Sequence, residues 1–361
     1  MAVKKWRGKW VVDFIVDGKR VRRVSPVQTK RGAKAYEVEL RLELTSATPE
    51  SGAAPAAEVP TLAEFATEWM STYVRVHSKP SGALLKDLCL SNHLVPFFGK
   101  QRLDAITQRQ IEGFKAHQID KGLKPASVNR HLSVLGRLLR CAMEWRLLGE
   151  MPTINTLPEP QADFDWLRPA EVGRLLDVAR SMRPQWFAFF LLAVRTGMRK
   201  GEIYGLHWRS VDFEARRIIV EHNCWRGRLG TPKNGKTRVV PMTADLVEAL
   251  SAWRQHSAGE IVFPNKEGGL VSGQTTANEA LSRALKMAGL RHVRFHDLRH
   301  TFASHLVLQK CSLKVVQLLM GHSSVRMTER YAHVADEQLV AAVDVLDGLG
   351  LKGEETGDQG D

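Results

Sequence analysis

Arginine, histidine and tyrosine gather in three short polar clusters in the second half of this 361-residue chain. Arg199 stands in Thr196-Gly197-Met198-Arg199-Lys200-Gly201-Glu202, directly after an apolar run that must be buried. His296, Arg299 and His300 fall within His296-Asp297-Leu298-Arg299-His300-Thr301. His322 follows Gly321, and Tyr331 comes nine residues later. Together these side chains offer what phosphodiester transfer needs: a nucleophile, a proton donor for the leaving oxygen, and positive charge where a phosphorane gathers negative charge.

Taken singly, each group also has a plainer reading. Arg199 can meet two phosphate oxygens with parallel hydrogen bonds, or it can pair structurally with Glu202, three residues on. At helical spacing His296, Arg299 and His300 share one face while Leu298, Phe302 and His305 take the opposite one, so the helix is expected to have a polar face and a core face. Two imidazoles at i, i+4 suggest zinc and a metal-dependent nuclease. That reading is the weaker one, because His305 points away and the glutamate of H-E-x-x-H is missing, so no metal or cofactor is expected. Gly321 reads as a helix stop, with Ser323 or Ser324 capping the next helix. Tyr331 is one of four tyrosines, with 36, 73 and 204, and alone would pass for a core or surface aromatic. Residues 230 to 238, GTPKNGKTR, form a basic loop with Asn-Gly at its tip, fitting a hairpin. Lys233 or Lys236 in it could protonate a leaving alkoxide, although composition alone favours a phosphate contact.

The elements that must hold these groups are helices and short strands. Helical patterning resumes near Pro169, with helices around 185 to 195, from Lys200 and from about 275 onward, and β-like segments at Arg217 to Val220 and Arg238 to Val240. Upstream, Thr61-x-x-Glu64 is a capping box opening a helix with Leu62, Phe65 and Trp69 on one side. Pro125 precedes a long helix with Val128, Leu132, Leu135, Leu139 and Ala142 at core spacing, while Arg130, His131, Arg137 and Arg140 are expected on its surface. At the amino terminus, residues 10 to 16 and 19 to 24 flank Asp17-Gly18, a two-residue hairpin signal, and a helix over Arg31 to Leu44 follows. The expected fold class is mainly α with small β-sheets, α+β.

Charge narrows the partners. Lys and Arg number 52 against 39 Asp and Glu, a formal +13, which points to a polyanion. Residues 1 to 44 alone hold twelve basic and five acidic side chains, a net +7, so Lys19, Arg20, Arg22 and Arg23 are candidate phosphate contacts, as are Arg130, Arg137, Arg140, Lys236 and Arg238. The longest apolar run, Trp186 to Val194, is nine residues, far short of the roughly 20 that span a bilayer, and the charged amino terminus lacks a signal-peptide core, so a cytoplasmic protein with no membrane partner is expected. Four cysteines at 89, 141, 224 and 311 form no C-x-x-C pair and read as small buried hydrophobes. Proline-rich stretches mark the boundaries: a basic module at 1–44, a linker at 45–60, a helical domain at 61–152, a mixed domain at 160–347 and a disordered acidic tail at 348–361.

In order and spacing, Arg199 in TGMRKGE, Lys233 in TPKNGKTR, His296 and Arg299 in HDLRHT, His322 in GHSS and Tyr331 in ERYAH resemble the tyrosine recombinases of the phage-integrase type. The resemblance covers about 160 to 345 strongly and 61 to 150 by layout. It implies a site-specific recombinase in which Tyr331 attacks DNA and forms a 3′-phosphotyrosyl bond without metal or ATP. Arg199, Arg299 and His322 would hold the phosphate, His296 would accept the tyrosine proton, Lys233 would protonate the 5′-oxygen, and Glu202 would brace Arg199 or tune the base. It further implies an arm-type DNA-binding domain, a SAM-like core-binding domain closing with the catalytic domain as a clamp on double-stranded DNA, and nucleoid association when bound. An apolar stripe of Leu339, Val343 and Leu346 on residues 335–346 would dock on a neighbour in a DNA-bound homotetramer. A DNA-bending host protein and an excisionase are further implied partners. Type IB topoisomerase-like relaxation and a non-catalytic DNA-binding regulator are the alternatives.

Overall fold

The computed structural model describes residues 3–16, 19–46, 59–160, 164–232, 235–273 and 276–332. The chain divides into two compact units, Met1–Pro158 and Glu159–Asp361.

The first unit opens with an antiparallel sheet of β1 (Val3–Trp6), β2 (Lys9–Val16) and β3 (Lys19–Val24), followed by α1 (Lys30–Ser46). Val16 pairs with Lys19, the register a two-residue connection demands, although residues 17 and 18 themselves lie outside the described ones. Val3, Val12, Phe14, Ala33 and Leu40 form a small core between sheet and helix. Strand β1 has no counterpart in the sequence reading. Only Val3 of its four residues is buried, so it offers no alternation to recognise.

Helices α2 (Leu62–Trp69), α3 (Pro80–Cys89), α4 (Gln108–Asp120) and α5 (Pro125–Glu144) are the longer helices in the rest of this unit, with π-helical turns extending α2 and α3. The Thr61–Glu64 capping box forms as its spacing demands. Leu62, Phe65 and Trp69 pack with Val128, Leu132, Leu135 and Leu139 of α5 in one apolar core. One surface expectation fails on α5: His131 is buried, its ring stacked 4.0 Å from that of His93. Its ring face packs on His93 and its ring lies 6.4 Å from that of Phe114, which draws it into the aromatic cluster. The connector after α5 is tied down by Asn129, which donates to the Leu157 carbonyl at 2.9 Å and accepts from the Leu157 N–H at 2.8 Å.

The second unit is built around α7 (Pro184–Thr196), which follows α6 (Pro169–Ser181). Trp186, Ala188 and every residue from Phe189 to Val194 are buried, as an unbroken apolar run requires. Next come α8 (Lys200–Tyr204), β4 (Val211–Asp212), β5 (Arg217–Val220), β6 (Asn223–Trp225), β7 (Arg228–Gly230), β8 (Arg238–Pro241) and α9 (Ala244–Arg254). The strands form one antiparallel sheet, β4-β5-β8, and a separate β6-β7 hairpin turning at Arg226-Gly227, both at positive φ. The hairpin expected over residues 230 to 238 is therefore corrected: the strands either side of that loop belong to different sheets. Helices α10 (Thr276–Met287), α11 (Phe295–Leu308), α12 (Leu313–Met320) and α13 (Arg326–Glu329) complete the described part. No described helix is long and apolar enough to cross a membrane. Cys89, Cys141 and Cys224 are buried and Cys311 is partly so, all four as free thiols. Residues 335–346 and the tail at 348–361 lie outside the described residues.

Candidate active site

Two glycine-capped helix ends build the site. Helix α7 stops at Gly197 (φ 59°) and α12 at Gly321 (φ 62°), both left-handed, where a side chain would be strained. A Cβ at Gly197 would also fall 2.4 Å from Cδ1 of Phe302, and one at Gly321 2.9 Å from Cδ of Arg238. The chain can then turn at once into Arg199 after α7 and into His322 after α12.

These helix ends leave carbonyls without intrahelical partners, and buried arginines satisfy them. Arg299, on α11 and only 2% exposed, donates to the carbonyls of Gly197 and Met320. Arg238 donates through Nε to the Leu319 carbonyl at 3.0 Å. Burial, with Arg199 and Arg238 nearby, lowers the Arg299 pKa to about 9, so its guanidinium stays charged at neutral pH.

Glu202, 1% exposed, ties the cations together. Its Oε1 accepts from Nη1 of Arg199 at 2.8 Å and Nη1 of Arg238 at 3.0 Å. Its Oε2 accepts from the Arg199 N–H at 2.8 Å and Nη2 of Arg238 at 2.7 Å. Burial alone would raise this carboxyl; hydrogen bonds and charge from Arg238 and Arg199 overcome that and hold it at about 2. Glu202 therefore braces the start of α8 and fixes Arg199, whose side chain remains 20% exposed.

Three imidazoles surround this ionic core. His296 and His300 lie edge to face, 5.1 Å apart. His322 makes a 2.9 Å contact between Nδ1 and Oγ1 of Thr328. His296 is exposed at the residue level, yet the protein around its ring, with Arg299 and Arg199, pushes its pKa down to about 4. Burial and His296 do the same to His300, to about 4. Burial lowers His322 to about 3, helped by Arg299, Arg199, His300 and His296, so all these groups share one centre. At neutral pH the imidazoles are uncharged, able to accept a proton or to donate through one N–H.

Tyr331, 1% exposed, lies beside this centre just beyond α13. Its hydroxyl meets Nδ1 of His300 at 2.7 Å, and Phe164 flanks both rings at 5.0 and 4.8 Å. Burial raises the phenol to about 12 against the lowering pull of Arg299 and Arg330. The phenol is thus protonated at neutral pH and covered by folded protein.

Of the residues singled out by sequence, Arg199, Glu202, His296, Arg299 and His322 converge here, with Tyr331 alongside. Lys233 lies outside the described residues, and Lys236 is exposed. Arg238, expected among DNA contacts, is instead an internal partner of Glu202; no local pattern signals a pairing with a residue 36 positions away. The polar face expected on α11 forms, with His296 exposed but Arg299 and His300 covered by folded protein. Asp297, Arg299, His300 and Thr301 are all buried, because the protein itself supplies their polar partners. Thr301 Oγ1, for example, accepts from the Leu167 N–H at 2.9 Å. Neither Ser323 nor Ser324 caps α13, whose N-cap is Val325 without a side-chain bond. The His300 contact with Tyr331 went unread, although His300 shares a helical face with His296 and Arg299.

Among the other candidate cations, Arg23, Arg130 and Arg140 are exposed. Arg20 and Arg22 are exposed but share Asp13, which also meets Lys4 and is held well below the usual carboxylate range by Arg20 and Lys4. Arg137 donates through Nε to the Tyr73 hydroxyl at 3.0 Å and through Nη1 to Glu144 at 3.2 Å. The Lys19 side chain lies outside the described atoms.

Comparison with known proteins agrees with this geometry. Residues 165–338 match the phage integrase family, and residues 61–116 match the phage integrase N-terminal SAM-like domain. The ICEBs1 integrase of Bacillus subtilis (strain 168) is 25% identical over 97% of this chain and 100% of its own. The integrase of Salmonella phage P22 is 32% identical over 63% of this chain and 59% of its own. Among solved structures, the Tn1549 transposon integrase with circular intermediate DNA superposes with a TM-score of 0.69 at 19% identity, covering 80% of this chain and 99% of that one. A lambda integrase tetramer bound to a Holliday junction superposes with a TM-score of 0.60 at 20% identity, covering 90% and 96%. With both its helical and its mixed segments matched in the expected order, the chain belongs to the phage integrase family of tyrosine recombinases.

Proposed function

We propose that this protein is a site-specific DNA recombinase, an integrase that exchanges strands through Tyr331. The observation that carries the reading is the convergence of Arg199, Arg299, His296 and His322 on one centre, locked by Glu202 and Arg238, with a tyrosine at its edge.

In the reaction, the Tyr331 oxygen attacks the scissile phosphorus as its proton passes to an imidazole. The new bond is a 3′-phosphotyrosyl ester, and the broken bond releases a 5′-hydroxyl protonated by Lys233. Arg199 and Arg299 neutralise the non-bridging oxygens, and His322 donates a further hydrogen bond. His296, with its lowered pKa, is the proton acceptor that faces solvent and substrate. A 5′-hydroxyl from a partner strand reverses the step, so the bond energy is conserved and neither metal nor ATP enters. Tyr331 first leaves His300, so its buried position is a resting one.

Residues 1–44 serve as an arm-type DNA-binding domain, 61–152 as the core-binding domain and 160–347 as the catalytic domain. The working assembly is a homotetramer on double-stranded DNA, acting in the cytoplasm at the nucleoid, with a DNA-bending host protein and an excisionase as accessory partners. The lambda neighbour, itself a tetramer on a Holliday junction, supports that assembly.

The test is covalent capture. Nicked duplexes from a randomised pool, incubated with the protein in EDTA, are expected to yield a protein–DNA adduct that survives denaturation. Tyr331→Phe should abolish it. An adduct that persists in that variant, or that forms only with added metal, would overturn the assignment.

A further inference from the structure

Beside the ionic core lies a pocket of about 380 Å³ between the start of α8, α10 and the start of α11. One wall is formed by Arg199, His296 and Arg299, the groups assigned above to the reacting phosphate. The rest carries Lys200, Asn278, His292 and Arg294, and no carboxylate lines the pocket. A phosphodiester brings a single negative charge, which the two guanidiniums already match. The additional basic groups are surplus for one phosphate and fit two.

We propose that Lys200, with His292 beside it, binds a second DNA phosphate adjacent to the reacting one, so that the pocket grips two consecutive phosphates. This rests on the recombinase reading, which it deepens.

Lys200 is placed for the task. It follows Arg199 directly, so the two side chains leave the same helix start. Its Nζ lies 3.2 Å from Oδ1 of Asn278, a neutral acceptor that orients the ammonium. The half-buried ammonium has a lowered pKa from desolvation, a penalty that an arriving phosphate reverses. Arg294 is engaged by Asp297, with Nη2 to Oδ1 at 2.8 Å, which commits it to the start of α11. Lys200 is a substrate-positioning cation: it would touch DNA without taking part in proton transfer.

Two measurements test this on a duplex selected for covalent capture by the intact protein. In the first, neutral methylphosphonates replace single phosphates one position at a time, with wild-type protein. The reacting position and one immediate neighbour should both matter, the neighbour weakening binding roughly ten- to hundredfold, as expected for one charge-assisted contact. In the second, Lys200→Met should reduce the slope of log affinity against log salt by about 0.9, and Lys200→Arg should restore it. On the neighbour-methylphosphonate duplex, Lys200→Met should bring no additional loss. A scan with a single sensitive phosphate, or a Lys200→Met loss of equal size on both duplexes, would overturn the proposal while leaving the recombinase reading intact. If no duplex is captured at all, both readings fall together.

Discussion

The helical part of the first unit and the catalytic unit treat buried polarity in opposite ways. Between residues 59 and 158 the core is mostly Leu, Phe, Trp and Val, and its inner polar groups meet uncharged partners: Asn129 the Leu157 backbone, and His93 the Gln118 amide at 2.9 Å. Its one buried ammonium, Lys115, meets a partner, Glu112, whose side chain is 52% exposed. The catalytic unit instead buries Arg299, Glu202 and Asp297 outright, with Arg238 nearly so. Hydrophobic residues of the same volume would hold such a core at least as well, because desolvating ions costs about what their attraction returns. With Arg199, which shares Glu202, the set carries a net positive charge, which suits an anion that arrives from outside. Stability explains the first region and ligand chemistry the second.

The sharpest way to break this contrast is to remove the central carboxylate. Glu202→Gln leaves Arg199 and Arg238 facing each other without a counter-charge. Breaking a buried pair in this way costs about 3 to 5 kcal/mol. Urea unfolding should show a loss of that size, and covalent capture of DNA should fall with it, since Arg199 loses its brace. A loss below about 1 kcal/mol would mean that the ionic core is solvated and that the contrast is false.

A smaller effect is shared by both regions, and pH reads it. His131 and His300 are buried, with pKa values near 4, against about 6.5 in an unfolded chain. The unfolded state binds more protons between those values, so stability is full above about pH 6.5 and falls as pH drops toward 4. By pH 5 each imidazole should cost on the order of 2 kcal/mol. Comparing urea midpoints at pH 7 and pH 5 measures the total, and His131→Phe isolates the helical share. If that variant keeps the whole pH dependence, the acid sensitivity belongs to the catalytic unit alone.

These contrasts follow the line between what sequence could and could not disclose. Periodicity revealed α5 because five apolar side chains recur along one stripe, and the Thr61 capping box is written within four consecutive residues. Arg199, His296, Arg299, His322 and Tyr331 were legible as motifs because each sits at a helix start or turn with local punctuation. The ionic lock was not legible, since Glu202 and Arg238 come together only when β8 returns beside α8. Nor was the burial of Tyr331 against Phe164 far upstream, or the burial of most of the polar side of α11. Helical geometry separates two faces but cannot tell whether water or folded protein covers the polar one. Strand β1 escaped because the sheet selects it, not its own pattern.

The smallest effect belongs to the ion pair of the helical region. Glu112→Gln removes the charge of the partner of Lys115 but keeps an amide oxygen to accept from its Nζ, at a side chain that is 52% exposed. Such i, i+3 pairs contribute about 0.3 to 0.5 kcal/mol, screened further by salt. Urea unfolding in low and high salt should place Glu112→Gln within about 0.5 kcal/mol of wild type, an order of magnitude below Glu202→Gln. Equal losses for the two substitutions would show that charge is buried alike in both regions, and the inference from buried charge to an incoming anion would fail.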